Sequence, residues 1–133
     1  MMRRFVLLYH ECPSGFIKPS HWDFMLEADG VLKTWELREL PRSWQKALRT
    51  KETREGRTVV ATRLADHRLD YLTFEGSLTK NRGSITRVAQ GTFHEIKDDD
   101  NCLTVALHGQ TIQGTAILEQ ITETNEWHLS TAD

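Results

Sequence analysis

The feature that most constrains the fold is an alternating segment followed by a tight-turn signal. In residues 21–27, His21, Asp23 and two later residues alternate with apolar side chains, as in a strand with one face against a core. Asp29-Gly30 follows at once, and an Asp-Gly pair between two apolar runs favours a two-residue hairpin turn. We therefore predict a β-hairpin that pairs this strand with residues 31–37 and places His21 and Asp23 on one face.

Short strands and turns recur along the whole chain. Residues 5–10 form an apolar run of strand length, and residues 11–20 contain two prolines and a glycine, which indicates a loop. Further strands are predicted at residues 57–64, 71–78, 84–89, 92–96, 102–107, 115–121 and 127–129. Turn residues separate them at positions 81–83, 90–91, 97–101 and 109.

One helical segment interrupts the strands. Residues 43–54 follow Pro41 and place Trp44, Ala47 and Leu48 at helical spacing, so a short basic helix that ends at Gly56 is predicted. Many short strands around one helix are typical of an all-β barrel or sandwich. The expected fold is mainly β: a compact antiparallel β-barrel with one or two short helices, forming a single domain over residues 1–133.

Composition excludes several classes of protein. With 38% hydrophobic and 27% charged residues among 133, the chain has the composition of a folded globular protein. No apolar run approaches the roughly 20 residues that a bilayer-spanning helix needs. Cys12 and Cys102 alone cannot form a disulfide scaffold or a four-thiolate zinc site, so a reducing, cytoplasmic location is expected.

Charge is distributed unevenly along the chain. Between Arg38 and Arg87 there are twelve Lys and Arg against six Asp and Glu, a local balance of +6 within a chain of net charge −2. Such asymmetry can mark a surface that binds a polyanion, although an exposed basic helix would produce it too. Any nucleic acid is therefore expected to bind locally.

The alternating strand suggests a metal site. A His and an Asp two residues apart on a strand can bind one ion, and His10, at the end of the first predicted strand, could supply a third ligand. Two imidazoles and one carboxylate suit Mn²⁺, Zn²⁺ or Fe²⁺, and three protein ligands leave a position open for catalysis. The triplet alone is more typical of a polar strand residue, His21, beside a surface carboxylate, Asp23.

A second cluster of candidate residues lies at positions 63–71. His67 is a candidate proton donor or phosphate ligand, because imidazole titrates near neutrality. Tyr71 could donate a hydrogen bond to a substrate oxygen, while Arg63 and Arg68 could pair with phosphate. The structural alternative is that Asp66 and Asp70 cap turns and that Tyr71 packs in a core.

Taken together, the two clusters resemble the phosphoesterase domain of bacterial DNA ligase D, a multifunctional end-joining ligase. That family has a His ending its first strand, a His-aromatic-Asp triplet opening a strand that contains Leu-Glu, and an Asp-His-x-Leu-Asp-Tyr segment leading to Phe-Glu-Gly. The matching residues here are His10, His21, Trp22, Asp23, Leu26, Glu27, Asp66, His67, Leu69, Asp70, Tyr71, Phe74, Glu75 and Gly76. The hairpin residues Asp29, Gly30, Val31, Leu32, Lys33 and Trp35 match as well, and the order agrees from about residue 5 to residue 95.

The resemblance implies a compact β-barrel that removes a 3′-phosphate or a 3′-terminal ribonucleoside from nucleic-acid ends in DNA repair, with Mn²⁺ or another divalent metal such as Zn²⁺. It implies that His10, His21 and Asp23 hold the metal and that His67 and Tyr71 contact the scissile phosphate, with His67 as a possible general acid. Because the sequence carries no ligase or primase segment, a ligase or polymerase partner would act in trans.

The sequence also departs from the family pattern. The family has an Arg where this chain has Met25, and a Glu where it has Ala65; residues 38–41 and 78–83 replace two family loops. Losing a guanidinium removes a charge and up to two phosphate hydrogen bonds. We expect Arg68, with Arg63 or Arg82, to restore positive charge from another direction.

Two other functions fit parts of the pattern. One is a nucleic-acid or protein binding module that keeps the barrel but not the chemistry, for which Met25 and Ala65 argue. The other is an iron-dependent oxygenase, since two His and one carboxylate form its metal triad. That enzyme would recruit a distal histidine from His67, His94 or His108, and the order of the ligase-like motifs argues against it.

Overall fold

The computed structural model describes residues 2–50 and 56–132. These residues form nine strands, one α-helix and one 3₁₀ helix. The strands are β1 (Arg3–Glu11), β2 (His21–Ala28), β3 (Val31–Leu37), β4 (Thr58–His67), β5 (Gly76–Ser77), β6 (Ser84–Asp99), β7 (Cys102–Gly109), β8 (Gln113–Gln120) and β9 (Glu126–Thr131). The α-helix is α1 (Arg42–Leu48), and the 3₁₀ helix spans Leu69–Leu72. Neither helix is long and apolar enough to span a bilayer.

Eight of these strands close into an antiparallel barrel. Their order is β1-β2-β3-β4-β9-β8-β7-β6, and β6 pairs back onto β1 over nine residue pairs from Arg3↔Phe93 to Glu11↔Ser84. The short strand β5 pairs with the beginning of β6. The prediction of a mainly β, closed antiparallel barrel with one or two short helices is confirmed.

Alternation along the strands produces two apolar clusters on opposite sides of the barrel wall. The larger fills the interior, where β1 contributes Phe5 and Leu7, β2 contributes Phe24 and β3 contributes Trp35. The smaller, which we call the outer cluster, consists of Val6, Leu8, Met25, Leu32, Leu72 and Ile85. Since Leu72 belongs to the 3₁₀ helix, this helix packs on the outside of the barrel and covers part of the β1–β2–β3 face.

The predicted helix is present but shorter than expected. α1 begins after Pro41 and ends at Leu48, because Arg49 adopts the left-handed conformation with φ 56°. The Arg49 N–H closes the last turn by donating to Lys46 O. Such a left-handed residue is a common way to end a helix. Of the predicted remainder, positions 51–54 lie outside the described residues.

The strand predicted at residues 71–78 is wrong. Instead, a 3₁₀ helix ends at Leu72, and only Gly76–Ser77 forms a strand. The Asp70 carbonyl accepts hydrogen bonds from the N–H groups of Thr73 and Phe74, so the chain reverses before it reaches β5. The turn places Leu72 in the outer cluster, and burial of this side chain outweighs the strand preference of the segment.

The turn predicted at residues 90–91 is also wrong, because β6 runs without interruption from Ser84 to Asp99. Gly91 is needed there for close approach of neighbouring strands. A Cβ at this position would lie 2.3 Å from His108 O and 2.8 Å from Phe5 Cε1. A glycine inside a strand often marks such a contact.

Candidate metal centre

Strand register places a group of polar side chains on the outer face of β1, β2 and β3. His10 on β1 lies opposite His21 on β2, and Asp23 on β2 lies opposite Glu36 on β3. The His10 and His21 rings are 4.9 Å apart between centroids. His21, Asp23 and Glu36 are all buried, with 2%, 5% and 6% of their surface exposed. Three titratable side chains buried this close to one another require compensating charge.

Hydrogen bonds to backbone carbonyls orient both imidazole rings. His21 Nδ1 lies 2.9 Å from Pro19 O, and His10 Nε2 lies 2.7 Å from Arg82 O. A carbonyl only accepts hydrogen bonds, so each of these nitrogens must carry the proton that it donates. When the rings are neutral, lone pairs therefore remain on His21 Nε2 and His10 Nδ1. Backbone contacts of this kind are how proteins orient metal-binding histidines.

Three oxygen and nitrogen ligands converge at His21. Its Nε2 lies 3.5 Å from Asp23 Oδ1 and 3.7 Å from Glu36 Oε1. His21, Asp23 and Glu36 each offer a ligand atom within 4.8 Å of the others. Asp23 Oδ1 is buried and has no hydrogen-bond partner among the described residues. Three lone-pair donors that face one another repel unless a cation lies between them, so the donor set fits a divalent metal ion.

The same carboxylates act on the His21 ring. Burial alone would lower the pKa of His21, but the Asp23 and Glu36 carboxylates and the Pro19 carbonyl together raise it above its usual value. The two carboxylates therefore favour a proton on His21 Nε2 when no metal ion is bound. A metal ion at this nitrogen would replace that proton.

Two basic side chains contact Glu36. Its Oε1 accepts a hydrogen bond from Lys18 Nζ, and its Oε2 accepts one from Arg38 Nε, both at 2.9 Å. Burial alone would raise the pKa of Glu36, but these two bonds and the nearby His21 lower it. Glu36 is therefore ionised, and its charge is balanced by Lys18 from the β1–β2 loop and Arg38 after β3.

Sequence reasoning missed Glu36, although a signal for it existed. The turn at Asp29-Gly30 sets the hairpin register, in which Ala28 lies opposite Val31. Counting back along both strands from that pair brings Asp23 opposite Glu36. Directly opposite residues share one face of an antiparallel pair, so the register alone was sufficient to join Glu36 to the predicted site.

Cys12 also lies near the two histidines. His10, Cys12 and His21 form a second group whose ligand atoms lie within 4.8 Å of one another. Burial raises the pKa of the Cys12 thiol, and the charges of Asp23 and Glu36 raise it further. Because the thiolate is the form that binds metals, the carboxylates are the better ligands here.

His67 and Tyr71 form a separate cluster on the same face. Their rings are 5.5 Å apart, and Tyr71 also contacts the Phe74 ring at 6.1 Å. His67 Nδ1 lies 2.9 Å from Ala65 O, which leaves Nε2 for other partners. His67 pairs with Leu32, four residues along β3 from Glu36, a backbone separation of about 13 Å at roughly 3.3 Å per residue.

The three arginines predicted to bind phosphate occupy different surroundings. Arg63 lies opposite Trp35, its guanidinium is 4.8 Å from that ring centroid, and it pairs with Asp66 at 2.9 Å. Arg68 is exposed, with 81% of its side chain accessible and Asp70 4.0 Å away. Arg82 donates hydrogen bonds to Thr79 O and Oγ1. The guanidinium of Arg68 is thus accessible to a ligand, whereas that of Arg63 is largely covered.

Met25 has no surface exposure and belongs to the outer cluster. It lies opposite Val6 on β1 and Thr34 on β3, between the level of Asp23 and the level of Leu32. The position that carries a guanidinium in the family pattern is therefore an apolar packing position here.

Comparison with known proteins supplies a family. A family model described as the DNA Ligase D 3′-phosphoesterase domain matches residues 13–120 of the 133-residue chain. The match includes His21, Asp23, His67 and Tyr71, whereas His10 precedes it. A search of curated proteins found no match. Because the matched segment covers most of the chain and the structure is the closed barrel expected from its motifs, the protein belongs to the family of DNA ligase D 3′-phosphoesterase domains.

Proposed function

We propose that this protein is a metal-dependent phosphoesterase that removes a 3′-phosphate or a 3′-terminal ribonucleoside from nucleic-acid ends during DNA repair. The observation that carries the proposal is the buried convergence of His21 and Asp23, with Asp23 Oδ1 lacking a hydrogen-bond partner among the described residues, inside a chain of this family. His10, His21 and Asp23 would hold Mn²⁺ or another divalent ion such as Zn²⁺.

The metal, when bound, would polarise the phosphoryl oxygens and lower the pKa of a bound water. The protein's own groups orient the substrate around it. Tyr71 would donate its phenol proton as a hydrogen bond to a phosphate oxygen, and Arg68 would pair with another. Arg63 and Arg82 are bound to protein partners and would contribute charge at longer range.

His67 is proposed as the general acid. Its Nδ1 is held by Ala65 O, so the proton that it transfers would reside on Nε2. Water would attack phosphorus, the bond between phosphorus and the 3′ oxygen would break, and a His67 ring protonated on both nitrogens would give its Nε2 proton to that oxygen. The proton released by the attacking water would restore the proton on His67. The products are inorganic phosphate and a 3′-hydroxyl end. A general acid of this kind contributes about 10²- to 10⁴-fold in rate.

The proposed setting is the cytoplasm, with a ligase or a polymerase that acts in trans on the 3′-hydroxyl end produced here. Such an end is the chemical form that both strand joining and strand extension require.

Turnover of a 3′-phosphorylated primer in Mn²⁺ tests the proposal. We expect release of phosphate by the wild-type protein, loss of release in His21→Ala and Asp23→Ala, and a decrease of at least about 10²-fold in His67→Ala. His128→Ala is the matched control, because it makes the same substitution at a partly exposed histidine on β9, a strand that lies between β4 and β8. Inactivity of the wild-type protein across several metals and several 3′-end structures would refute the proposal.

Burial of Met25 favours one alternative, a binding module that keeps the barrel without turnover. In that case primer binding would persist in Asp23→Ala and no phosphate would be released by any variant. The same primer, labelled for an anisotropy titration, separates the two functions.

A further inference from the structure

Glu36 contacts the proposed metal ligands without being one of the residues that the family motifs assign. It is 6% exposed, lies directly opposite Asp23, and has Oε1 3.7 Å from His21 Nε2. A buried carboxylate costs free energy unless it is paired. Lys18 and Arg38 pair with it here, and its Oε1 also faces the His21 ring that Asp23 faces.

The two cations now bound to Glu36 use different oxygens. Arg38 binds Oε2, which is the oxygen not paired with His21, whereas Lys18 binds Oε1, which faces His21. Lys18 comes from the loop between β1 and β2, and 40% of its side chain is exposed. A lysine is a compact point charge on a flexible stem, so it can leave this oxygen more easily than a planar guanidinium could.

Among the described residues, no lysine or arginine pairs with Asp23. Its Oδ1 is buried without a hydrogen-bond partner among the described residues, and it faces the same His21 nitrogen. Lys18 thus compensates the charge at Glu36 Oε1, whereas none of the described lysines or arginines does so at the neighbouring Asp23 Oδ1. A divalent ion between them would satisfy both.

We propose that Glu36 is a fourth protein ligand of the metal and that Lys18 is a built-in competitor that holds Glu36 Oε1 when the metal is absent. The inference rests on the metal site proposed above. Two imidazoles and two carboxylates neutralise a divalent charge. They leave two positions open on a six-coordinate ion such as Mn²⁺ but none on four-coordinate Zn²⁺, so Glu36 would favour Mn²⁺ for catalysis.

Metal titration of the intact chain tests this inference without any substrate. Mn²⁺ affinity is measured by calorimetry, and Co²⁺ is added separately because its visible absorption spectrum depends on the identity and number of its ligands. Glu36→Gln keeps the size of the side chain and removes its charge. Loss of a residue that only supports a metal ligand typically weakens binding about 10- to 100-fold, so we expect at least about tenfold weaker binding and a changed Co²⁺ spectrum.

Lys18→Met removes the competing charge from a partly exposed loop residue and keeps most of the apolar stem. We expect it to tighten Mn²⁺ binding several-fold, whereas Lys46→Met, in the last turn of α1, leaves the affinity unchanged. Because Lys18 is partly exposed, this variant keeps the test informative even if Glu36→Gln does not fold.

Unchanged affinity in Glu36→Gln, or weaker affinity with an unaltered Co²⁺ spectrum, would overturn the ligand assignment. Equal affinities of Lys18→Met and wild type would overturn the competitor role. Failure of the wild-type protein to bind either metal would instead refute the metal site of the proposed function. The two failures are therefore distinguishable.

Discussion

Asp23 and Glu36 are direct cross-strand partners on β2 and β3, and both of their carboxylates are buried. Like charges directly opposite each other destabilise a sheet. Lys18 and Arg38 pair with Glu36, whereas Asp23 Oδ1 lacks a hydrogen-bond partner among the described residues and lies 3.5 Å from His21 Nε2. We therefore expect this pair to cost the metal-free protein stability, and the proposed metal ion would remove that cost.

Asp23→Asn is expected to stabilise the metal-free protein. The amide removes one of two facing charges and can donate a hydrogen bond to Glu36, and a satisfied buried polar group is worth about 1 kcal/mol. Urea unfolding in a chelator should show this gain. At Mn²⁺ one hundred times the dissociation constant, the wild type should gain about 2.7 kcal/mol and the variant almost none. Lower stability of Asp23→Asn in the chelator would contradict the account.

Met25→Arg, which restores the residue of the family pattern, is expected to destabilise the protein rather than improve phosphate binding. Met25 is fully buried among apolar side chains, so a guanidinium there would be an unpaired buried charge. The loss should be at least about 3 kcal/mol in the free energy of unfolding. Met25→Leu, which conserves volume, should cost less than about 1.5 kcal/mol. Equal stabilities of the two variants would show that the arginine finds a partner.

Gly91→Ala is expected to destabilise the barrel at the pairing of β6 with β1 and β7. The new Cβ would meet His108 O at 2.3 Å and Phe5 Cε1 at 2.8 Å, and both belong to packed strands. Overpacking of this kind costs about 1–3 kcal/mol, measurable by thermal or urea unfolding. Gly56→Ala is the control, because nothing lies within 4 Å of a Cβ there. Equal stabilities of the two variants would contradict the close packing of the strands at Gly91.

The Arg4–Glu27 pair predicts a pH dependence. Glu27 accepts three hydrogen bonds from Arg4, from its backbone N, Nε and Nη2, and the side-chain bonds lower the pKa of Glu27 below its ordinary 4.5. A lowered pKa in the folded state stabilises the protein above the unfolded value, and that stabilisation is lost as the pH falls through the folded value.

Glu27→Gln should therefore cost up to about 1 kcal/mol at neutral pH, since the pair is partly exposed. The difference from wild type should shrink at acidic pH, below the ordinary 4.5 of a glutamate. Urea unfolding at both pH values measures it, and exposed Glu39→Gln serves as the reference for removing a carboxylate. A pH-independent difference would mean that Glu27 acts through packing and not through charge.

The hairpin was predictable because its turn and its alternation agree. Asp29-Gly30 sets the register, and the polar positions of β2 then follow on one face. The barrel could be inferred from the number of short strands. His10, which lies opposite His21, could be placed only by assuming the pairing of β1 with β2 that the structure shows.

The segment after β4 was not predictable from local pattern. The sequence around Tyr71 and Leu72 is typical of a strand. The 3₁₀ turn is favoured because it buries Leu72 in the outer cluster. Long-range contacts decided β6 in the same way. Gln90 and Gly91 read as a turn in sequence, whereas in the structure Gly91 allows three strands to approach one another.

Closure of the barrel separates the side chains that pack in its interior from those on its outer face. The interior cluster holds the fold together, while His21, Asp23 and Glu36 lie on the other side of the wall, beside the small outer cluster. A substitution on the outer side, such as methionine in the place of arginine at position 25, can therefore be accommodated without opening a cavity in the interior. The surface proposed to bind phosphate can therefore change its side chains while the interior packing of the barrel is kept.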